Sequence, residues 1–298
     1  MKKLILKFIV FVLLLSSVIL LSYLMISNEI NKKANFELQK PVRNIVLGNS
    51  HTEFALNDSI ITDFANISQS GESYFYTYIK LKKILEDNGQ IQTVFIAYSN
   101  EVIDIGMNEW IWGDQFISYR FPKYSPFMDF KQHYILGFNN PKSYIGNLSN
   151  SIKKNFVKIL EKNYLFLNDN IGAFKNLNQD KENSKGTNEN PPNVKKIELS
   201  LINLAYLDKI VAFCDNNKIE LIFIRCPLHP KYQGFYNESE FKHILKTRYS
   251  RIRFLDFAKF QLEPTDYFDK EHLNYKGSKK FSIWFETYKN KELKSLIK

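Results

Sequence analysis

The segment "MKKLILKFIVFVLLLSSVILLSYLMIS" carries no charged side chain between Phe8 and Ile26. A helix of that length spans the hydrocarbon core of a bilayer. A cleaved secretory signal would have a shorter apolar region followed by a small-residue site, and no A-x-A pattern follows here. The pattern therefore predicts an uncleaved membrane anchor over residues 1–28 and a polar connector, "NEINKKANFELQKP", over 29–41. Beyond it, short apolar runs alternate with helical spacing. "RNIVLG" (43–48), "FANIS" (64–68) and "QTVFIAYS" (92–99) read as strands, and "SYFYTYIKLKKILEDNG" (73–89) reads as a helix stopped by Asn-Gly. Strand, helix, strand is the βαβ signature.

The alternation breaks over residues 104–170, which carry scattered aromatics and no repeating strand-helix pattern. Residues 175–196, "KNLNQDKENSKGTNENPPNVKK", have almost no apolar side chains and are expected to form a mobile loop. The α/β pattern resumes with a helix at 197–217, strands "IELIFIRC" (219–226) and "RIRFLDFA" (251–258), and a last helix over 275–290. The predicted architecture is a three-layer α/β/α domain over 42–298, with a central parallel sheet of about five strands and an insertion at about 104–196.

Composition changes this picture little. Of 298 residues, 41 are Lys or Arg and 31 Asp or Glu, giving a formal charge of +10 spread along the chain. No basic block or nucleic-acid motif appears, so nucleic acid is not an expected partner; an anionic membrane face or glycan is. Cys214 and Cys226 lack C-x-x-C spacing and read as buried small hydrophobes. No His, Asp and Glu cluster has metal-ligand spacing, so neither a metal nor another cofactor is expected. Lys2, Lys3 and Lys7 precede the apolar run, and Lys32 and Lys33 follow it. A short amino-terminal tail before a long folded domain usually stays in the cytoplasm, which places residues 30–298 outside the cell membrane.

Parallel α/β sheets bind ligands at the carboxyl ends of their strands. Here those ends offer Ser50 after the first strand, Gly71 after the second, Asn100 after the third, and Asp269 with His272 in "DYFDKEHLNYKG" after the last. The set suits acyl transfer. A serine hydroxyl needs a base, which His272 can supply, and a carboxylate three residues earlier can hold the imidazole in the right tautomer. The backbone N–H groups of Ser50 and Gly71 and the side-chain amide of Asn100 are candidate oxyanion donors, each worth about 3–4 kcal/mol of barrier.

These strand ends resemble the SGNH (GDSL-type) hydrolase superfamily, whose four name residues match Ser50, Gly71, Asn100 and His272. The chain departs from the family pattern at Asn49, where Asp is usual, and at Tyr98 and Glu101 in the block usually written Gly-x-Asn-Asp. "DKEHLNYKG" matches the Asp-x-x-His block and is the most specific piece. The resemblance implies a serine esterase or acyltransferase working through an acyl-serine, with Ser50, His272 and Asp269 as the triad. An anchor joined to such a domain is also similar to proteins of envelope polysaccharide O-acetylation and teichoic acid D-alanylation. That architecture suggests acyl groups, acetyl first, of an envelope or exported glycan as substrate, and a membrane protein as acyl donor. The alternatives are an esterase or thioesterase of lipids or small molecules, and a non-catalytic glycan-binding or assembly protein.

Each residue also has a bland reading. Ser50 suits a turn, and Asp269 with His272 suits the start of a helix. His51 and His229 are candidate substrate contacts or plain structural residues, and His133 and His243 are expected to be structural or at the surface. Trp110 and Trp112, with Tyr119, Phe121 and Tyr124, could stack on sugar rings or form the insertion's own core. Arg120 and Lys123 could meet an anionic polymer or solvent.

Overall fold

The structure, a computed structural model, describes residues 1–38, 41–167, 171–178 and 197–292. Its contacts divide the chain into two compact units, Glu37–Trp110 with Asn170–Lys298, and Met1–Phe36 with Ile111–Asp169. These differ from the boundaries drawn from sequence, because the amino-terminal helix and part of the expected insertion form one unit.

The larger unit is built on a five-stranded parallel sheet. Its strands are β1 (Asn44–Leu47), β2 (Phe64–Asn66), β3 (Thr93–Ala97), β4 (Glu220–Arg225) and β5 (Arg253–Asp256), in the order β2-β1-β3-β4-β5. All five expected strands are present. Every residue of β1 and β3 is buried, as strands covered on both faces require. Val46, Phe95, Ile222 and Ile224 share one core with Ala55 of α2 (Ser50–Ala55) and with Phe281 and Phe285 of α10 (Tyr275–Glu292). Helices α3 (Tyr74–Asp87) and α8 (Leu201–Asn216) pack on each other, with the rings of Phe75 and Tyr206 4.8 Å apart. Strand order reverses between β1 and β3, and that crevice is where doubly wound sheets bind ligands. Helix α9 (Glu238–Arg248), between β4 and β5, was not expected from sequence. Both cysteines are free and buried.

One buried ion pair shapes the sheet's rim. Lys80 on α3 is fully buried, and its Nζ donates to Glu72 Oε2 (2.8 Å), Ile67 O (2.6 Å) and Ile171 O (2.8 Å). Three donors meet three acceptors, which a buried ammonium requires. The pair closes the loop 67–72, which carries Gly71.

In the smaller unit, α1 runs Lys2–Lys33, past the expected end of the anchor at residue 28. It is long and apolar enough to cross a membrane, with a mean hydropathy of 2.9 over its most apolar stretch. Part of the expected 29–41 connector is packed: Phe36 is buried and lies 5.2 Å from the rings of both Phe127 and Phe166. Where the sequence offered no regular alternation, the structure has helices. Helix α4 (Met107–Trp112) carries the chain from one unit into the other, followed by α5 (Asp114–Tyr124), α6 (Phe130–Asn139) and α7 (Pro141–Glu161). Asp129 caps α6 in a capping box with Gln132. The expected mobile loop lies mostly outside the described residues; of it, only 175–178 are described, without regular structure.

Candidate active site

β1 ends at Leu47, and Gly48 and Asn49 turn the chain into α2. Gly48 has φ +155°, and a Cβ there would sit 2.2 Å from Ala97 Cβ and 2.8 Å from Thr52 Oγ1. Only glycine lets β1 and β3 lie this close just before the turn. Gly48→Ala is expected to cost roughly 2–5 kcal/mol, from overpacking plus backbone strain, read as a lower midpoint in thermal unfolding.

Asn49 then caps α2, its Oδ1 accepting from the N–H of His51 at 3.2 Å. This places Ser50 first on the helix with its hydroxyl at the sheet end. At the other end of the chain, Asp269 Oδ1 accepts from the N–H groups of Glu271 (2.7 Å) and His272 (2.8 Å), folding the loop back on itself. The His272 ring then stands with Nδ1 2.9 and 3.0 Å from the Asp269 oxygens and Nε2 2.8 Å from Ser50 Oγ. A nitrogen facing a carboxylate carries the proton, so Nε2 presents its lone pair to the Ser50 hydroxyl. Burial pushes the Asp269 carboxyl up, but the His272 ring and the two backbone donors outweigh it and hold it below its usual value.

The rest of the "HLNYKG" run has local work. Leu273 is in the core. Asn274 Oδ1 accepts from the N–H groups of Lys276 and Gly277 and so caps α10. A Cβ at Gly277 would meet Asp266 O at 2.1 Å.

The three residues at which the chain departs from the family pattern, Asn49, Tyr98 and Glu101, each have their own fit. Asn49 Nδ2 donates to Glu101 Oε1 at 2.7 Å, a bond that Asp could not make, and Ser99 Oγ donates to the same oxygen. Tyr98 is buried, stacked on Phe223 of β4 at 4.9 Å and leaning on Phe241 of α9 at 4.7 Å. No small residue is needed there, because α9 supplies a wall for the ring.

The expected role of Asn100 does not hold as drawn. Its side chain is buried, with Nδ2 donating to Asn237 Oδ1 (3.0 Å) and Glu238 Oε2 (2.9 Å), and Oδ1 accepting from Arg225 Nη1 (2.9 Å). A guanidinium only donates, so the amide orientation is set, and both amide hydrogens are committed away from an oxyanion. Arg225 also bonds Asp256 and Glu238, and these donors hold the Glu238 carboxyl at about 2 despite its partial burial. The N–H groups of Ser50 and Gly71 have no hydrogen-bond partner among the described residues, so both remain candidates for an oxyanion. The loop that carries Gly71 is fastened by Gln69 N–H to Gly48 O (2.9 Å) and Ser70 N–H to Glu53 Oε2 (2.7 Å).

His51, a candidate substrate contact, is buried. Its ring meets that of His272 edge-on at 5.5 Å, and its Nε2 lies 3.6 Å from Glu101 and 3.9 Å from Glu271. Burial pulls its pKa down, but the two carboxylates outweigh this and raise it, while His51 in turn lowers Glu271. Glu101 and Glu271 were missed from sequence as site residues; the only signal was their adjacency to Asn100 and His272. Ligand atoms of His51, Glu271 and His272 lie within 4.8 Å of one another. Both ring nitrogens of His272 are engaged by Ser50 and Asp269, so an ion bound there would have to displace the serine.

His229 is held by its N–H to Lys270 O (3.1 Å), which puts it beside the Asp269–His272 loop on the same rim. Trp110 and Trp112 are half-buried on α4, and Trp112 falls in the smaller unit. Phe121 and Tyr124 are core residues of that unit, and Arg120, expected to meet a polymer or solvent, is buried against Phe116 and Tyr119. His133 is bonded within the same unit, 3.1 Å from Tyr23 Oη and 3.2 Å from Tyr144 Oη.

A protein-family model matches residues 147–294, a stretch that holds Asp269 and His272 but not Ser50. A search of curated proteins finds no match. Among the solved structures that match, two illustrate the similarity, both at low identity. One, from Bacteroides fragilis, is provisionally described as an acylhydrolase; it is 11% identical, with TM-score 0.41 over 89% of this chain and 95% of that one. The other is described as a GDSL-like lipase from Bacteroides thetaiotaomicron; it is 11% identical, with TM-score 0.39 over 91% of this chain and 98% of that one. At that level of similarity, the functional reading rests on the geometry of the site itself.

Proposed function

We propose that this chain is a membrane-anchored serine esterase or O-acyltransferase of the SGNH type, acting outside the cytoplasm on acetyl or related acyl groups of an envelope or exported polysaccharide. The observation that carries the chemistry is the unbroken line from Ser50 Oγ through His272 to Asp269. His272 Nε2 takes the Ser50 proton as Oγ attacks the ester carbonyl, and Asp269 stabilises the imidazolium that forms. The N–H groups of Ser50 and Gly71 would receive the oxyanion. As the tetrahedral intermediate collapses, His272 returns the proton to the departing alcohol and leaves an acyl-Ser50. Water then gives hydrolysis, whereas a sugar hydroxyl gives transfer by the same steps in reverse. His51, with Glu101 and Glu271, backs the His272 ring. The glycan substrate is supported by the apolar helix α1 and by the chain's positive charge, which suits an anionic polymer. In the transfer reading, a membrane protein supplies the acyl group.

Treating the full chain with a fluorophosphonate and mapping the adduct by peptide mass tests the nucleophile; modification at Ser50 is expected. No adduct, or one on another serine, would remove the acyl-serine mechanism. O-acyl content of exported polysaccharide from cells lacking the protein tests the substrate, and an unchanged content would remove the glycan.

A further inference from the structure

We infer that α6 is an interfacial membrane helix whose Phe130, Tyr134 and Phe138 face lies in the headgroup–acyl boundary of the bilayer that α1 crosses. The inference rests on the reading of α1 as a retained anchor. The three residues recur at i, i+4 and i+8, so they share one side of the helix. They are 86%, 58% and 72% exposed, while Gln132, Ile135 and Leu136 on the other side are buried. Tyr134 and Phe138 stack on each other at 5.6 Å, which makes the face a continuous aromatic strip. Such a strip in water is unfavourable and marks a surface built to be covered.

What covers it follows from where α6 is fastened. Tyr23 of α1 is buried against the smaller unit's own helices; its hydroxyl donates to Ser125 O at 2.9 Å and lies 3.1 Å from Nε2 of His133 on α6. The apolar run of α1 ends at Ile26, three residues further on, or about 4.5 Å along the axis. The contact with His133 therefore holds α6 at the level where α1 leaves the hydrocarbon. Aromatic side chains concentrate at that depth, with rings in the boundary and polar groups facing water. Lys131 and Lys142 are exposed on and just after α6 and suit anionic headgroups. An apolar strip held at that depth meets lipid before it meets another protein.

The test uses the full chain in nanodiscs of phosphatidylcholine and phosphatidylglycerol, with a nitroxide label on Tyr134→Cys or Phe138→Cys. Cys214 and Cys226 are buried and stay unlabelled. Leu14→Cys in the apolar run and Lys246→Cys on α9 give lipid and water references. Collisions with oxygen are expected to exceed those with a water-soluble nickel complex at 134 and 138, as at 14 and opposite to 246. Water-like values at 134 and 138 with lipid values at 14 overturn the inference and leave the anchor standing. Exclusion of both reagents at 134 and 138 overturns it in favour of a second copy or another protein on that face. Water-like values at 14 overturn the anchor and the inference together.

Discussion

Ser50→Ala is expected to lower turnover of an activated acetyl ester by roughly 10⁵- to 10⁶-fold, the loss seen when a serine nucleophile is removed from a triad. The substitution removes the oxygen that lies 2.8 Å from His272 Nε2, so neither the proton transfer nor the acyl-enzyme has an atom to proceed through. The deleted hydroxyl is partly exposed at the mouth of the site, so the fold should be retained and the thermal midpoint nearly unchanged. The remaining rate would come from the N–H donors and from substrate binding, neither of which needs the hydroxyl. Steady-state kinetics on the purified full chain checks this, and wild-type turnover by the variant would show that Ser50 is a turn residue and no more.

Lys80→Met is expected to destabilise the larger unit by about 3–5 kcal/mol, because it strands the Glu72 carboxylate in a site with no access to water. Glu72 would keep the bond from Thr77 Oγ1 at 2.8 Å but lose its charged partner. Ile67 O and Ile171 O would also lose a charged donor. In thermal unfolding this corresponds to a fall in midpoint of roughly 6–20 °C. Pairing it with Glu72→Leu removes the stranded charge and should recover part of the loss, which separates the cost of an unpaired ion from the cost of lost packing. The effect extends to chemistry, since Lys80 and Glu72 hold the two ends of the loop that presents the Gly71 N–H. A Lys80→Met protein with an unaltered midpoint would mean the pair is open to solvent.

The strands and most helices of the larger unit were legible because their signals are local. "TVFIA" and "ELIFIR" have unbroken apolar centres, VFIA and LIFI, and "YFYTYIKLKKILED" keeps helical spacing. The helices around the insertion were not. α7 does carry a helical period, with Leu148, Ile152, Phe156 and Leu160 four residues apart, but the positions it buries are the polar Asn147, Ser151 and Asn155, so few apolar side chains mark its packed face. α9 was hidden for a similar reason: its charged sequence buries only Phe241 and Ile244.

The same division runs through the site. The sequence by itself singled out Ser50, His272 and Asp269, the three residues that the structure joins by hydrogen bonds, because Asp269 and His272 are tied by a three-residue spacing and Ser50 by its place after β1. Tertiary structure alone decided what the other polar groups do. Asn100 meets Arg225 and Glu238, more than a hundred residues later in the chain, and they draw its amide away from the oxyanion position. His51 is paired with Glu101 and Glu271 in the same way. A buried donor or carboxylate takes whichever partner satisfies it at lowest cost, and that choice exists only once distant segments are in contact.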